Sequence, residues 1–173
     1  METQLVRLDQ LRGPLVAGLL WSAFALGSAY LRDAGGAVLL IWLPSAVAVA
    51  SLYATPPRRW PVLLGTLFAF QLLTFAWLGI APLTSLGFAF AGQVEALVSA
   101  GIGLHVLGGR GKGPQTFTHV AGLFVAAIVG CLAGALLALP FRAEPGMAEF
   151  AWWFLASVLG VLTATPVLLY QRQ

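Results

Sequence analysis

Residues 117–139 read FTHVAGLFVAAIVGCLAGALLAL, twenty-three positions without a Lys, Arg, Asp or Glu, followed directly by Pro140. A bilayer core is about 30 Å thick and needs roughly 20 apolar residues in a helix to cross it. This stretch is long enough, and it is apolar on every side rather than along one stripe, so it is a lipid-embedded or bundle-buried helix. Within it, Gly122, Ala126, Gly130, Gly134 and Ala138 recur every fourth position. Lipid tails give apolar helices no reason to associate, so membrane helices approach through such small-residue rows. The row predicts a helix-packing seam, and the same spacing also serves a homodimer.

Five more apolar runs flank this one: Gly13–Leu31, Gly36–Ala54, Trp60–Leu78, Leu83–Leu107 and Phe150–Tyr170. Breaks rich in Pro, Gly and Arg separate them, notably Pro56-Pro57-Arg58-Arg59 and the turn from Gly108 to Pro114. The whole chain is 60% hydrophobic and 9% charged, with mean hydropathy +0.91. Soluble domains carry about 25% charged residues, so a water-soluble protein is excluded. Nothing alternates as barrel strands do, and no internal repeat stands out. The expected fold is all-α, an integral membrane bundle of about six transmembrane helices. Residues 1–12 form an N-terminal segment, 13–170 the membrane domain and 171–173 the C-terminal end. Too little chain is left over for a fused soluble enzyme.

Basic residues orient the bundle. One side receives Arg7, Arg12, Arg58, Arg59, Arg110, Lys112 and Arg172; the other receives only Arg32 and Arg142, each near an acid. Short loops rich in Lys and Arg stay in the cytoplasm, so both termini are predicted to be cytoplasmic. The same topological reading removes nucleic acid as a partner despite the net charge of +3. The first run could pass as a signal peptide with Gly27 and Ala29 at a cleavage site, but Glu2 and Asp9 dilute the leading charge, and it is read as retained. Cys131 is the single cysteine, so no intrachain disulfide forms; it is read as a packing residue, or as a cross-linking probe of a dimer seam.

Glu95 is the most informative residue. It lies 12 residues from each end of the Leu83–Leu107 run, where a carboxylate costs about 2.5–3.5 kcal/mol on insertion scales. No Lys or Arg lies deep in any run to pair with it. Helical geometry puts it on one face with Phe88, Gly92, Ser99 and Ile102, so it should look into the bundle, protonated or held by polar neighbours. It is either a ligand, cation or proton site, or a structural hydrogen-bond anchor. Gln71, Gln93 and Ser99 are candidates to join it, although each Gln alone reads first as an interhelical hydrogen-bond former. Trp42, Pro44 and Ser45 are grouped in the second run, where Pro44 can open a kink that frees carbonyls; Pro166 is the counterpart in the sixth. Trp152 and Trp153 are interface-belt residues first and stacking candidates second. His105 and His119 have no Cys or acid cluster at ligand spacing, so no metal site is expected. Shorter rows of small residues occur as Gly92, Ala96 and Ala100 in the fourth run, and as Gly18 with Ser22 and Ala23 with Gly27 in the first. No nucleophile–base set, phosphate loop or haem pattern is present, so neither an enzyme nor a cofactor is expected.

The order of Trp42-Leu43-Pro44-Ser45-Ala46-Val47-Ala48, Arg58-Arg59-Trp60-Pro61, Glu95-Ala96-Leu97, Trp152-Trp153, Leu159-Gly160-Val161-Leu162 and Thr165-Pro166 resembles the first class of membrane-associated sensor domains, the MASE family, over Gly36 to Tyr170. The resemblance implies a sensory module of the bacterial inner membrane, coupled through a cytoplasmic C-terminus to a histidine kinase or a diguanylate cyclase. Two positions depart from the family pattern: Gly92 stands where Asn is usual, and Ser157 where Asp is usual, which makes Ser157 a candidate member of the same site. The chain ends at Gln173, where an output domain would begin, so action through a partner or a lost output is expected. The rival reading is a small-solute transporter or a substrate-binding membrane subunit. A third is a scaffold that dimerises through the fifth helix.

Overall fold

A computed structural model describes residues 2–35, 41–109, 116–142 and 146–170. Arg110, Lys112, Glu144, Arg172 and the proposed start of the second run at Gly36 lie outside the described residues. All regular structure is helical: α1 (Glu2–Gly35), α2 (Leu43–Ala54), α3 (Trp60–Trp77), α4 (Pro82–Val106), α5 (Phe117–Ala138) and α6 (Met147–Tyr170), with short 3-10 turns at Pro57–Arg59 and Leu139–Phe141. Five helices have the length and apolar character to cross a membrane, and α2 is a shorter apolar one. The molecule is an all-α membrane bundle. α1 begins at Glu2 and runs unbroken through Gly13, so the polar leading segment is helical rather than a separate arm.

The second run holds the main departure from the sequence reading. Ile41 and Trp42 are not helical, and α2 starts only at Leu43. Pro44 therefore sits in the first turn of a helix, where its missing N–H costs nothing, and does not kink one. α2 is 12 residues long, about 18 Å at a rise of about 1.5 Å per residue. Every residue from Pro44 to Tyr53 is buried, so α2 is surrounded on all sides: it is the axis of the bundle, packed against α1, α4 and α6.

Both ends of this axis are fastened. At its start the Trp42 N–H donates to the Ala156 carbonyl of α6 at 2.9 Å, and the Trp42 carbonyl lies against Gly160, where a side chain would collide with it. Irregular backbone at membrane depth persists only where protein satisfies its polar groups, and α6 does so here. At its other end the Trp60 indole N–H donates to the carbonyls of Leu52 at 3.1 Å and Thr55 at 3.0 Å, covering acceptors that a helix end leaves open.

Turn chemistry closes the neighbouring helices. Gly79 takes φ +72° after α3 while the Ile80 N–H reaches back to the Phe75 carbonyl. Gly108 takes φ +65° after α4 while the Gly109 N–H reaches the Leu104 carbonyl. Both are left-handed caps that favour glycine. Thr116 caps α5 by accepting from the His119 N–H at 3.2 Å.

α5 lays its small-residue row on α4. A Cβ on Gly122 would strike Val106, one on Gly130 would lie 2.8 Å from the Glu95 carbonyl oxygen and the Ser99 nitrogen, and one on Gly134 would lie 2.7 Å from the Glu95 Cβ. Ala126 and Ala138 are buried on the same face. The row is thus taken up within the chain, and a homodimer seam along it is not available. Cys131 is fully buried and does not offer itself for cross-linking at such a seam. In α1 the two small pairs part company. Gly18 lies under the Phe70 ring and Ser22 accepts a 2.8 Å hydrogen bond from Thr74, whereas Ala23 and Gly27 are exposed.

Candidate functional site

Three helices bring polar groups to the start of α2. Glu95 from α4 is 1% exposed. Ser45 from α2, Trp153 and Ser157 from α6, and Cys131 from α5 are the polar side chains that adjoin its carboxyl. Glu95 Oε2 presses on Gly134, so α5 supplies a wall with no side chain there. The looseness of this centre matters. Glu95 Oε1, Trp153 Nε1 and Ser99 Oγ are buried with no partner in strict hydrogen-bond geometry among the described residues. An unpaired buried polar atom costs about 1–3 kcal/mol, so a change of packing that re-pairs these groups is favoured by a comparable amount.

The helix end adds its own field. α2 has no side-chain cap, since Trp42 at its N-cap makes no capping bond. The N-terminus of a helix carries roughly half a positive charge. Through Ser45, in the first turn of α2, the Glu95 carboxyl adjoins the end of the helix that favours negative charge. This gives a physical reason for an acid at this depth without a Lys or Arg: donors and a helix end surround it instead.

The candidates named from sequence divide into two groups. Glu95, Ser45 and Ser157 meet, and Ser99 lies one turn below Glu95 with its Oγ against Gly130. Gln71 and Gln93 do not join them. Gln93 is two positions from Glu95 on α4, on another face, and its Nε2 donates to Gln71 Oε1 of α3 at 2.9 Å in a buried contact. Trp42 approaches through its backbone, while its ring stands edge-on to Trp21 at 6.3 Å. Sequence reasoning missed Cys131 as a neighbour of Glu95 and ranked Trp153 second to its interface role. A hint was present for Cys131, which lies between Gly130 and Gly134 on the seam that had to face α4.

The glutamine pair makes a direct prediction. In a double-mutant cycle of Gln71→Leu and Gln93→Leu, unfolding of the purified protein should show a coupling of about 0.5–1.5 kcal/mol, the range of interhelical polar contacts in membranes. Strict additivity would mean that the two amides do not bond.

Apolar helices of membrane-spanning length packed around a buried carboxyl define a membrane-embedded helical domain. The chain belongs to the MASE1 family, whose model matches residues 11–173. MASE1 domains are bacterial membrane-associated sensor domains, sensory rather than catalytic. The match includes the membrane part of α1, which the resemblance noted above did not reach. No curated protein and no solved structure matches the chain.

Proposed function

We propose that this bundle is the sensory input of a bacterial inner-membrane signalling system, and that a small molecule or a membrane state acts on it by changing the packing around Glu95. The observation that carries this reading is the enclosed carboxyl at the uncapped start of α2, with buried polar atoms beside it still lacking partners. A signal shifts a bundle between two packings only by binding them differently, and loosely satisfied groups are where such a difference is easiest to make. α2 touches the site through Ser45 and is fastened to α6 through Trp42, so a shift at Glu95 reaches α6 directly. The bias of basic residues supports a cytoplasmic side that carries the α2–α3 and α4–α5 turns and the end of α6. There α6 would pass the change to a histidine kinase or diguanylate cyclase. The domain itself carries no catalysis in this reading.

The test is Glu95→Gln and Glu95→Ala in cells carrying the signalling output, with membrane levels measured in parallel. Allosteric couplings run about 1–3 kcal/mol, or roughly 5–150-fold. Kinase or cyclase output should shift by at least about fivefold in Glu95→Ala, and less in Glu95→Gln, which keeps the shape and one acceptor. Unchanged output at unchanged membrane level would reduce Glu95 to a structural anchor.

A further inference from the structure

The α5–α6 end of the bundle holds a second arrangement, which shares Trp153 with the Glu95 centre and is otherwise separate from it. Beyond the 3-10 turn at Leu139–Phe141 the chain presents Arg142, whose guanidinium carbon lies 5.6 Å from the Phe88 ring centroid and 5.0 Å from the Trp153 ring centroid. The two ring centroids are 5.0 Å apart with their planes inclined at 59°, so the rings meet in a V-shaped cleft with the guanidinium over both faces. Phe141 fixes the approach of this segment by packing its ring into the space left by Gly87. Arg142 also pairs with Glu149, their side chains being 19% and 48% exposed. Partial burial lowers the guanidinium pKa from its ordinary value, and the neighbouring Glu149 opposes that shift.

Aromatic faces attract cations, and more strongly when water is excluded. Glu149 stands at the rim and Glu95 adjoins the indole from below. Among the described residues, the groups against Arg142 are two ring faces and the Glu149 carboxylate, which is the chemistry of an organic-cation site. The Glu149 side of the ion pair is exposed to water and salt, which screens its hold on Arg142. Arg142 therefore occupies a place that a free cation of similar chemistry could take from it.

We propose that the Phe88–Trp153 cleft binds a small organic cation, a guanidinium or alkylammonium compound, and that Arg142 fills it in cis when none is present. The cation rests on the rings and on Glu149, so the site goes beyond the Glu95 reading and does not require it. Its occupancy would lift Arg142 from Trp153, whose indole nitrogen adjoins Glu95.

The experiment titrates the purified full chain with methylguanidinium and with tetramethylammonium, against sodium at equal ionic strength, and follows the heat of binding by calorimetry. A tethered competitor acts at an effective concentration on the order of millimolar, so wild-type binding should be weak, and Arg142→Ala should bind at least about tenfold more tightly. Arg142→Gln, which keeps most of the side chain's bulk on the rings, should show the same direction and serves where the alanine variant is unstable. Adding Trp153→Leu to either variant should abolish binding, while Glu95→Gln should leave it intact. The assignment is overturned if neither arginine variant gains affinity, if the gain survives loss of the indole, or if Glu95→Gln removes binding and so moves the site to the central carboxyl.

Discussion

Gly130→Ala is expected to lower the melting temperature of the purified protein by about 4–8 °C, from an overpacking cost of about 2 kcal/mol in a chain of this size. The reason is the nature of what the new methyl would meet. It would lie 2.8 Å from the Glu95 carbonyl oxygen and 2.8 Å from the Ser99 nitrogen, both backbone atoms of α4, as well as against the Ser99 hydroxyl. A side chain can rotate away, but a helix backbone moves only as a unit. α4 and α5 must separate along the row that runs from Gly122 to Ala138, and dispersion contacts are lost along its length. Ser99→Ala removes the hydroxyl and leaves the backbone in place, so the double variant should recover only a minor part of the loss. Gly65→Ala and Gly101→Ala are the controls, since a Cβ at either meets nothing within 4 Å, and alanine is the better helix former. Their melting temperatures should stay level or rise. Complete rescue by Ser99→Ala would show that hydroxyl bulk, not backbone approach, sets the seam.

How much of this was legible in the sequence depends on the kind of question. Immersion in a bilayer was legible everywhere, because composition and run length answer it locally. The inward face of Glu95 was legible too, since Ser99 and the small residues around it fixed which side of α4 could be approached. The start of α2 was not. Gly36–Ala54 is apolar throughout, and hydropathy reports where a chain is immersed, not where its helix begins. Pro44 is compatible with a kink or with a first turn, and only the bond from Trp42 to Ala156 decides between them. The two small pairs of α1 look equivalent as sequence, yet Gly18 and Ser22 meet α3 while Ala23 and Gly27 are exposed. Spacing along one helix says which residues share a face; it does not say which other helix that face will meet. For the same reason spacing leaves Gln71 and Gln93 free to join Glu95, whereas they bond to each other, and it leaves Trp153 in the interface belt, whereas its indole adjoins the carboxyl.

Gly160→Ala should be at least as damaging, and in a way that separates its cause from ordinary overpacking. Its methyl would lie 2.7 Å from the carbonyl carbon of Trp42 and still nearer the oxygen, so relief requires the start of α2 to leave α6. That movement also breaks the bond from the Trp42 N–H to Ala156 and strands a buried donor. Overpacking at about 1–3 kcal/mol and an unpaired buried group at about 1–3 kcal/mol together give roughly 2–6 kcal/mol, or a melting temperature lower by about 5–20 °C at about 2–4 °C per kcal/mol. Gly130→Ala parts α4 from α5 and leaves Trp42 fastened; Gly160→Ala unfastens Trp42. Hydrogen exchange should therefore distinguish them. The Trp42 amide should exchange at least about tenfold faster in Gly160→Ala, the change that about 1.4 kcal/mol of lost protection produces, and should be little altered in Gly130→Ala at matched temperature. Signalling output should also change in Gly160→Ala at temperatures where the protein is still folded, because Ser45 moves with the start of α2 and its contact with Glu95 goes with it. A Gly160→Ala protein with wild-type exchange at Trp42 would mean that α2 is not held on α6 by this contact, and the route from Glu95 to α6 would have to run through Ser157 and Trp153 alone.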